Sequence, residues 1–113
     1  MYRIPKDFDI SKAVGGCITQ ICVGEFDLQF TVGEIHFSIW SPASLVFDGE
    51  VVGKWQEGSW PDQQFIKILN VNLATYEIPN DRSIVLHFEN GIELHLEDHS
   101  DQYESMHIGP WII

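Results

Sequence analysis

The 113-residue sequence is poor in positive charge. It contains six Lys and Arg residues against 17 Asp and Glu, which gives a formal net charge of −11 at neutral pH. No Lys or Arg follows Arg82, so the last third of the chain carries acidic residues without basic ones. Binding to nucleic acids and to anionic membrane surfaces depends on clusters of Lys and Arg. The sequence therefore argues against both kinds of partner.

Long apolar stretches are also absent. No window approaches the roughly 18 apolar residues of a membrane-spanning helix, and the first ten residues, MYRIPKDFDI, contain no apolar run of signal-peptide length. We therefore expect a cytoplasmic protein. The two cysteines, Cys17 and Cys22, fall in one predicted strand at a spacing that points them to opposite faces. Both are expected to be reduced, because such a pair cannot be bridged without breaking the strand.

The common signatures of catalysis are missing as well. The sequence contains no HExxH, CxxC, GxSxG, P-loop or GxGxxG pattern, each of which carries a defined chemistry. In a chain with 17 acidic residues, the proximity of two carboxylates does not identify an acid and a base. No catalytic residue and no cofactor is predicted, and an enzyme is kept as an alternative.

What the sequence does contain is a regular alternation of apolar and polar residues, which indicates half-buried β-strands. The pattern predicts two hairpins, one within 26–39 and the other within 84–96. Further strands are predicted at 18–23, 44–47, 73–78, 104–108 and 111–113. Two helices are expected, one over about 61–69 with Ser59 as its N-cap, and a shorter turn over 10–14 capped by Asp9.

These elements predict one domain, residues 1–113, of the α+β class and mostly β. The chain reads as two related halves, about 9–40 and 61–97, each with a helix followed by a three-stranded meander. We expect the halves to form a curled antiparallel sheet or an open barrel-like roll, because neither could bury its helix and sheet alone. Residues 41–60 are expected to be a connecting loop with one short strand.

The hairpin HFENGIELH places a histidine on each side of a turn. A three-residue loop, Glu89 to Gly91, with the glycine in the left-handed conformation, puts the apolar residues of both strands on one face. This register sets His87 opposite Glu93 and leaves His95 on the diagonal. Diagonal positions lie roughly 7 to 8 Å apart at the backbone.

Three histidines form a weak candidate metal site. His87, His95 and His99 would be the ligands, and Glu97 and Asp98 supply nearby carboxylates. This cluster supports the alternative of a small metal-binding or hydrolytic enzyme. A further alternative is a structural, self-assembling module in which exposed strands pair between two chains to form a homodimer.

The acidic last third predicts a docking face for a basic protein, because opposite charges steer and orient association. The predicted binding residues are Glu93, Glu97, Asp98, Asp101, Glu104 and, as an aromatic anchor, Trp55. Trp55 and Trp60 flank the end of the central loop, where an exposed tryptophan suits an interface. The competing interpretation is that a tryptophan near a helix start packs beneath the helix.

Three segments resemble a family of small uncharacterised bacterial β-rich domains. They are VGGCITQICVGEFDLQF, FENGIELHLED and QYES, and the resemblance covers nearly the whole chain. In that family a strand, an NG or DG turn, a second strand and a YES-type motif recur near the C-terminus. The Met and Gly-Pro residues after YES depart from the usual ending of the family. The resemblance therefore does not extend to the last predicted strand.

Domains of this family are similar to the immunity proteins encoded beside polymorphic or contact-dependent toxins. The resemblance implies inhibition by binding, without catalysis, and carries over no functional residue. An acidic inhibitor suits a nuclease-like target, whose phosphate-binding face is positive. The expected function is therefore a non-catalytic cytoplasmic inhibitor of a basic bacterial toxin.

Overall fold

The computed structural model describes residues 3–99 and 104–113, and it is mostly β, with 50% strand and 8% helix. The helices are the 3₁₀ helices η1 (Ser11–Ala13) and η2 (Gln63–Ile68). The strands are β1 (Ile21–Val23), β2 (Leu28–Val32), β3 (Ile35–Ile39), β4 (Ala43–Phe47), β5 (Glu50–Trp55), β6 (Leu73–Asn80), β7 (Ser83–Phe88), β8 (Ile92–Glu97), β9 (Met106–Ile108) and β10 (Trp111–Ile112).

The strands form two antiparallel sheets of five. The first sheet has the order β1-β2-β3-β9-β10, and the second has the order β5-β4-β8-β7-β6. The chain passes from the first sheet to the second between β3 and β4, and it returns between β8 and β9. The structure therefore has two sheets where the sequence predicted one curled sheet or an open roll.

Both sheets bury one face in the same hydrophobic core. In the first sheet Phe30 and Phe37 are cross-strand partners, and their rings stack with centroids 4.9 Å apart. In the second sheet Leu86 pairs with Leu94, and all four side chains belong to one buried cluster. Two layers that share a core in this way explain the alternation of buried and more exposed residues along β2, β3, β4 and β8.

The helix predicted over 61–69 is shorter and begins later. Asp62 caps η2, because its Oδ1 accepts the backbone N–H of Gln64 at 2.9 Å. Ser59, the predicted cap, instead donates its hydroxyl to the carbonyl of Gln56 at 2.8 Å. The buried residues of η2, Phe65 and Ile68, are three apart. That spacing matches the three-residue turn of a 3₁₀ helix, so both side chains lie on the face that packs on the core.

The central segment predicted as a loop contains the full strand β5. Its pairing with β4 shifts register between Leu45 and Val46, so that Val46 faces Val51 while Leu45 faces Gly53. Such a bulge breaks the two-residue period from which a strand is recognised in a sequence. For Phe26 the prediction was wrong in the opposite direction, because a strand residue was expected where a loop residue is found. Phe26 begins the hairpin predicted within 26–39, but it lies outside β2 and is 58% exposed.

The segments that precede β1 and β6 pair with each other. Cys17 and Asn72 form an isolated antiparallel bridge. The backbone N–H of Gly15 donates to the carbonyl of Leu73 at 2.8 Å, and the N–H of Leu73 donates to the carbonyl of Gly16 at 2.7 Å. These bonds join the segment before β1 of the first sheet to the start of β6 of the second sheet. Cys17 is half-buried, and both it and the exposed Cys22 are free thiols.

Candidate functional site

The β7–β8 hairpin has the register predicted from its apolar pattern. His87 faces Glu93, and His95 faces Val85 rather than the other histidine. Gly91 adopts φ +89°, and its N–H donates to the carbonyl of Phe88 at 3.0 Å, which closes the three-residue loop. The prediction succeeds because this register puts Leu86 and Leu94, with the alternate apolar residues on either side of them, on one buried face.

The outer face of this hairpin carries alternating imidazoles and carboxylates, which we call the histidine–glutamate array. His87 Nε2 lies 2.7 Å from Glu77 Oε1, and His87 Nδ1 lies 3.8 Å from Glu93 Oε2. His95 Nε2 lies 2.8 Å from the other oxygen of Glu93. The array thus crosses β6, β7 and β8, and its side chains are partly exposed to solvent.

Glu77 is the member of the array that the sequence did not reveal. It lies within a predicted strand, but the pairing of β6 with β7 shifts register on both sides of it, between Leu73 and Thr75 and between Glu77 and Asn80. A regular alternation cannot locate such shifts, so the cross-strand neighbours of β6 could not be derived.

The predicted metal ligands do not converge. The ring nitrogens of His87 and His95 contact carboxylates along the array, whereas His99 lies exposed beyond the end of β8. Within residues 3–99 and 104–113, no group of three or more His, Cys, Asp or Glu side chains is arranged to hold a metal ion. The array therefore has the chemistry of a polar, acidic surface.

The predicted partner-binding carboxylates occupy different places. Glu93 and Glu97 lie on the outer face of β8, where Glu97 is exposed. Glu104 precedes β9 of the first sheet, and its Oε2 contacts His107 Nε2 at 2.7 Å. Asp101 lies outside the described residues. The acidic segment of the sequence is thus divided between the two sheets.

Asp98 was assigned to the docking face, and the structure places it in the interior at 3% exposure. The hydroxyl of the buried Ser105 donates to Asp98 Oδ1 at 2.7 Å. The backbone N–H of Asp98 also donates to the carbonyl of Arg82 at 2.7 Å. Asp98 therefore connects the end of β8 to the chain that enters β9, which is a structural role.

The aromatic anchor was assigned to the wrong tryptophan. Trp55 ends β5 opposite Ala43 and is 1% exposed, so its ring belongs to the core. Trp60, in the loop between β5 and η2, is 81% exposed. The error follows from the missed strand, because Trp55 is a core position only if residues 50–55 alternate against β4.

Comparison with known proteins gives no relative. No family model matches the chain, and no curated protein and no solved structure matches it either. The resemblance to immunity-type domains accordingly stays a prediction. In the part of the chain that the structure describes, neither helix has the length or the apolar composition to cross a bilayer.

Proposed function

We propose that the protein is a non-catalytic binding domain for a basic protein, and specifically an immunity-type inhibitor of a basic toxin in the bacterial cytoplasm. One observation carries this proposal. Within the described residues, Glu77 and Glu93 make their ion-pair contacts with histidines rather than with Lys or Arg. Neither carboxylate is therefore opposed by the permanent positive charge of a Lys or Arg within the described part of the molecule.

The array suits a cationic partner for two reasons. Carboxylates on β6 and β8, on either side of His87 on β7, give a negative face, and such a face raises the rate of association with a positive one. An incoming Arg or Lys also forms a stronger, charge-assisted hydrogen bond with a carboxylate than a neutral imidazole does. Binding is therefore favoured when an Arg or Lys of the partner replaces His87 or His95 as the hydrogen-bond donor to these carboxylates.

The test is binding to the basic domain of a toxin encoded beside the gene. The affinity of the wild-type protein and of a Glu77→Gln, Glu93→Gln variant is measured by calorimetry at low and moderate salt. We expect about a tenfold or greater loss in the variant, equivalent to about 1.4 kcal/mol, and a weaker salt dependence. Glu34→Gln, which removes an exposed charge from the β2–β3 turn, is the matched control. Absence of binding at low salt would overturn the proposal.

Metal analysis of untagged protein addresses the alternative of a metal-binding or hydrolytic enzyme. The contacts of His87 and His95 with carboxylates favour a binding surface over a ligand set. Stoichiometric metal that is lost in a His87→Gln, His95→Gln variant would support the alternative and count against the inhibitor.

We also infer that the two halves are related by an internal pseudo-twofold repeat. An offset of 55 residues relates Gly15 to Asn70 and Ile18 to Leu73. Exchanging the two halves therefore converts the hydrogen bond from Gly15 N–H to the Leu73 carbonyl into that from Asn70 N–H to the Ile18 carbonyl. Both bonds are present, at 2.8 and 2.7 Å. The two donors also share the left-handed backbone, with φ +89° at Gly15 and +62° at Asn70.

Strand pairing supports the same repeat with a different alignment of its second strand. Ile21 pairs with Phe30 in the first half, and Tyr76 pairs with Leu86 in the second. Phe30 thus corresponds to Leu86, whereas an alignment of the two predicted hairpins that sets 26–30 against 84–88 matches it with Phe88, two residues further on. The repeat concerns architecture and assigns no activity.

A further inference from the structure

Trp60 is the most exposed large apolar side chain in the described part of the chain, at 81%. Burying a large aromatic ring is favourable relative to leaving it in water, so an uncovered tryptophan forgoes that stabilisation. Tryptophan is also among the residues most enriched at the energetic centres of protein interfaces. The exposed Trp60 ring is therefore suited to contact with a partner that covers it.

Trp60 forms one wall of a cavity of about 240 Å³. The lining residues are Val23, Gly24, Glu25, Gly58, Ser59 and Trp60. One wall comes from the turn between β1 and β2 of the first sheet, and the other from the loop after β5 of the second sheet. The cavity therefore lies where loops of the two sheets meet.

Backbone hydrogen bonds hold the two walls in place. The N–H of Gly58 donates to the carbonyl of Glu25 at 2.7 Å and ties one loop to the other. The N–H of Gly24 donates to the carbonyl of Asp27 at 2.9 Å and closes the β1–β2 turn. The cavity is thus formed before a ligand arrives, which reduces the entropy lost on binding.

The size and lining of the cavity define its occupant. Small-molecule sites usually have volumes of about 300–1,000 Å³, so this cavity fits a single side chain better than a metabolite. Glu25, an exposed acidic residue, is among the residues that line the cavity, and no Lys or Arg is among the described ones. The exposed Phe26 and Glu57 flank it in sequence and extend the same apolar and acidic character.

We propose that the Trp60 cavity binds an arginine side chain of the basic partner. A guanidinium group stacks on an indole face and at the same time donates paired hydrogen bonds to a carboxylate, a combination that the point charge of lysine reproduces less well. Trp60 and Glu25 provide these two contacts. The inference rests on the proposed function and identifies where the partner is anchored.

The first experiment uses a short uncharged peptide with one central arginine, titrated into isotopically labelled protein and followed by NMR. We expect shifts at the Trp60 indole and at the amides of Glu25 and Gly58. The same peptide with citrulline, which keeps the shape but removes the charge, should bind at least about fivefold more weakly, a difference of about 1 kcal/mol. Equal shifts with both peptides, or none with either, would overturn the inference.

Substitutions then test whether the arginine peptide binds at the Trp60 cavity. Trp60→Ala and Glu25→Gln should each weaken arginine-peptide binding, and both should keep the wild-type unfolding temperature because the side chains are exposed. Phe47→Ala and Glu50→Gln are the matched controls. Phe47 is a half-exposed aromatic at the end of β4, and Glu50 is an acid at the start of β5, the end of that strand away from Trp60. Loss of binding in these controls to the same extent would contradict a site at Trp60.

The same variants separate this inference from the proposed function. If the basic toxin domain binds wild-type protein and Trp60→Ala equally, the anchor is wrong and the inhibitor proposal stands. If the arginine peptide binds at Trp60 but the toxin domain does not bind at all, the inhibitor proposal fails and the arginine site stands. If Trp60→Ala lowers affinity for the toxin domain about tenfold or more, both are supported.

Discussion

Replacing Gly16 by alanine should disrupt the contact between the segment that follows η1 and the turn between β2 and β3. A Cβ atom on Gly16 would lie 2.5 Å from both the Cα and the N of Gly33, and 3.2 Å from the carbonyl oxygen of Ala13. Gly33 forms the turn between β2 and β3, with φ +59°. The turn therefore packs directly on the backbone that follows η1.

The size of the destabilisation follows from the neighbours of the added Cβ, which are backbone atoms rather than the ends of flexible side chains. Ordinary contacts of a Cβ begin at 3.4 Å, so two backbone segments would have to separate by almost 1 Å. Gly16 is also held through its carbonyl, which accepts the N–H of Leu73 at 2.7 Å. Overpacking of this kind costs about 1–3 kcal/mol, and weakening one hydrogen bond adds about 0.5–1.5 kcal/mol. We expect a total of about 2–4 kcal/mol.

Urea unfolding followed by tryptophan fluorescence measures this loss, with Gly15→Ala as the control. Gly15 has φ +89°, but a Cβ there would meet nothing within 4 Å. Its substitution therefore carries only the cost of the left-handed backbone, about 1–2 kcal/mol. If Gly16→Ala proved no more destabilising than Gly15→Ala, the steric reasoning would be refuted.

Three further substitutions test the core, a buried hydrogen bond and the pH dependence. Leu94→Ala should lower the free energy of unfolding by about 2–5 kcal/mol in urea, and a loss below 1 kcal/mol would argue against its central position. Ser105→Ala removes the 2.7 Å donor to the buried Asp98 and should cost about 1–3 kcal/mol by the same assay. The backbone N–H of Ser11 holds the pKa of Asp9 below its ordinary 3.8. The resulting stabilisation is present above that pH and lost as pH falls through the lower folded value, so thermal unfolding of Asp9→Asn and wild type should converge in acid.

Most of the strands, though not β5, and the register of the β7–β8 hairpin were accessible from the sequence because burial of one face leaves a period of two. Leu86 and Leu94 could be paired from the pattern alone, since a shift of one residue would expose both. The pairing of β4 with β8, and of β3 with β9, was not accessible. Alternation states which face of a strand is buried, but it carries no information on which strand lies beside it, and so it did not distinguish two sheets from one curled sheet.

The candidate site was predicted only in part for a related reason. His87 and Glu93 were placed correctly because they lie within one hairpin. Trp55 and Asp98 were misassigned because their burial depends on contacts with β4 and with Ser105, which are distant in the sequence. Charge and aromatic character identify residues suited to an interface, whereas exposure is decided by tertiary packing.

The pairing of acids with histidines explains how the fold can keep its negative charge available. A neutral imidazole satisfies a carboxylate oxygen through a hydrogen bond but leaves the charge in place, whereas a lysine would cancel it. A partner's cation that approaches Glu77 or Glu93 competes with a partly exposed imidazole, whose bond to the carboxylate already has an ionised acceptor. An arginine adds a permanent positive charge on the donor and a second, parallel hydrogen bond to the same carboxylate. The exchange is favourable for a cationic partner and unfavourable for a neutral one, so the array itself discriminates by charge.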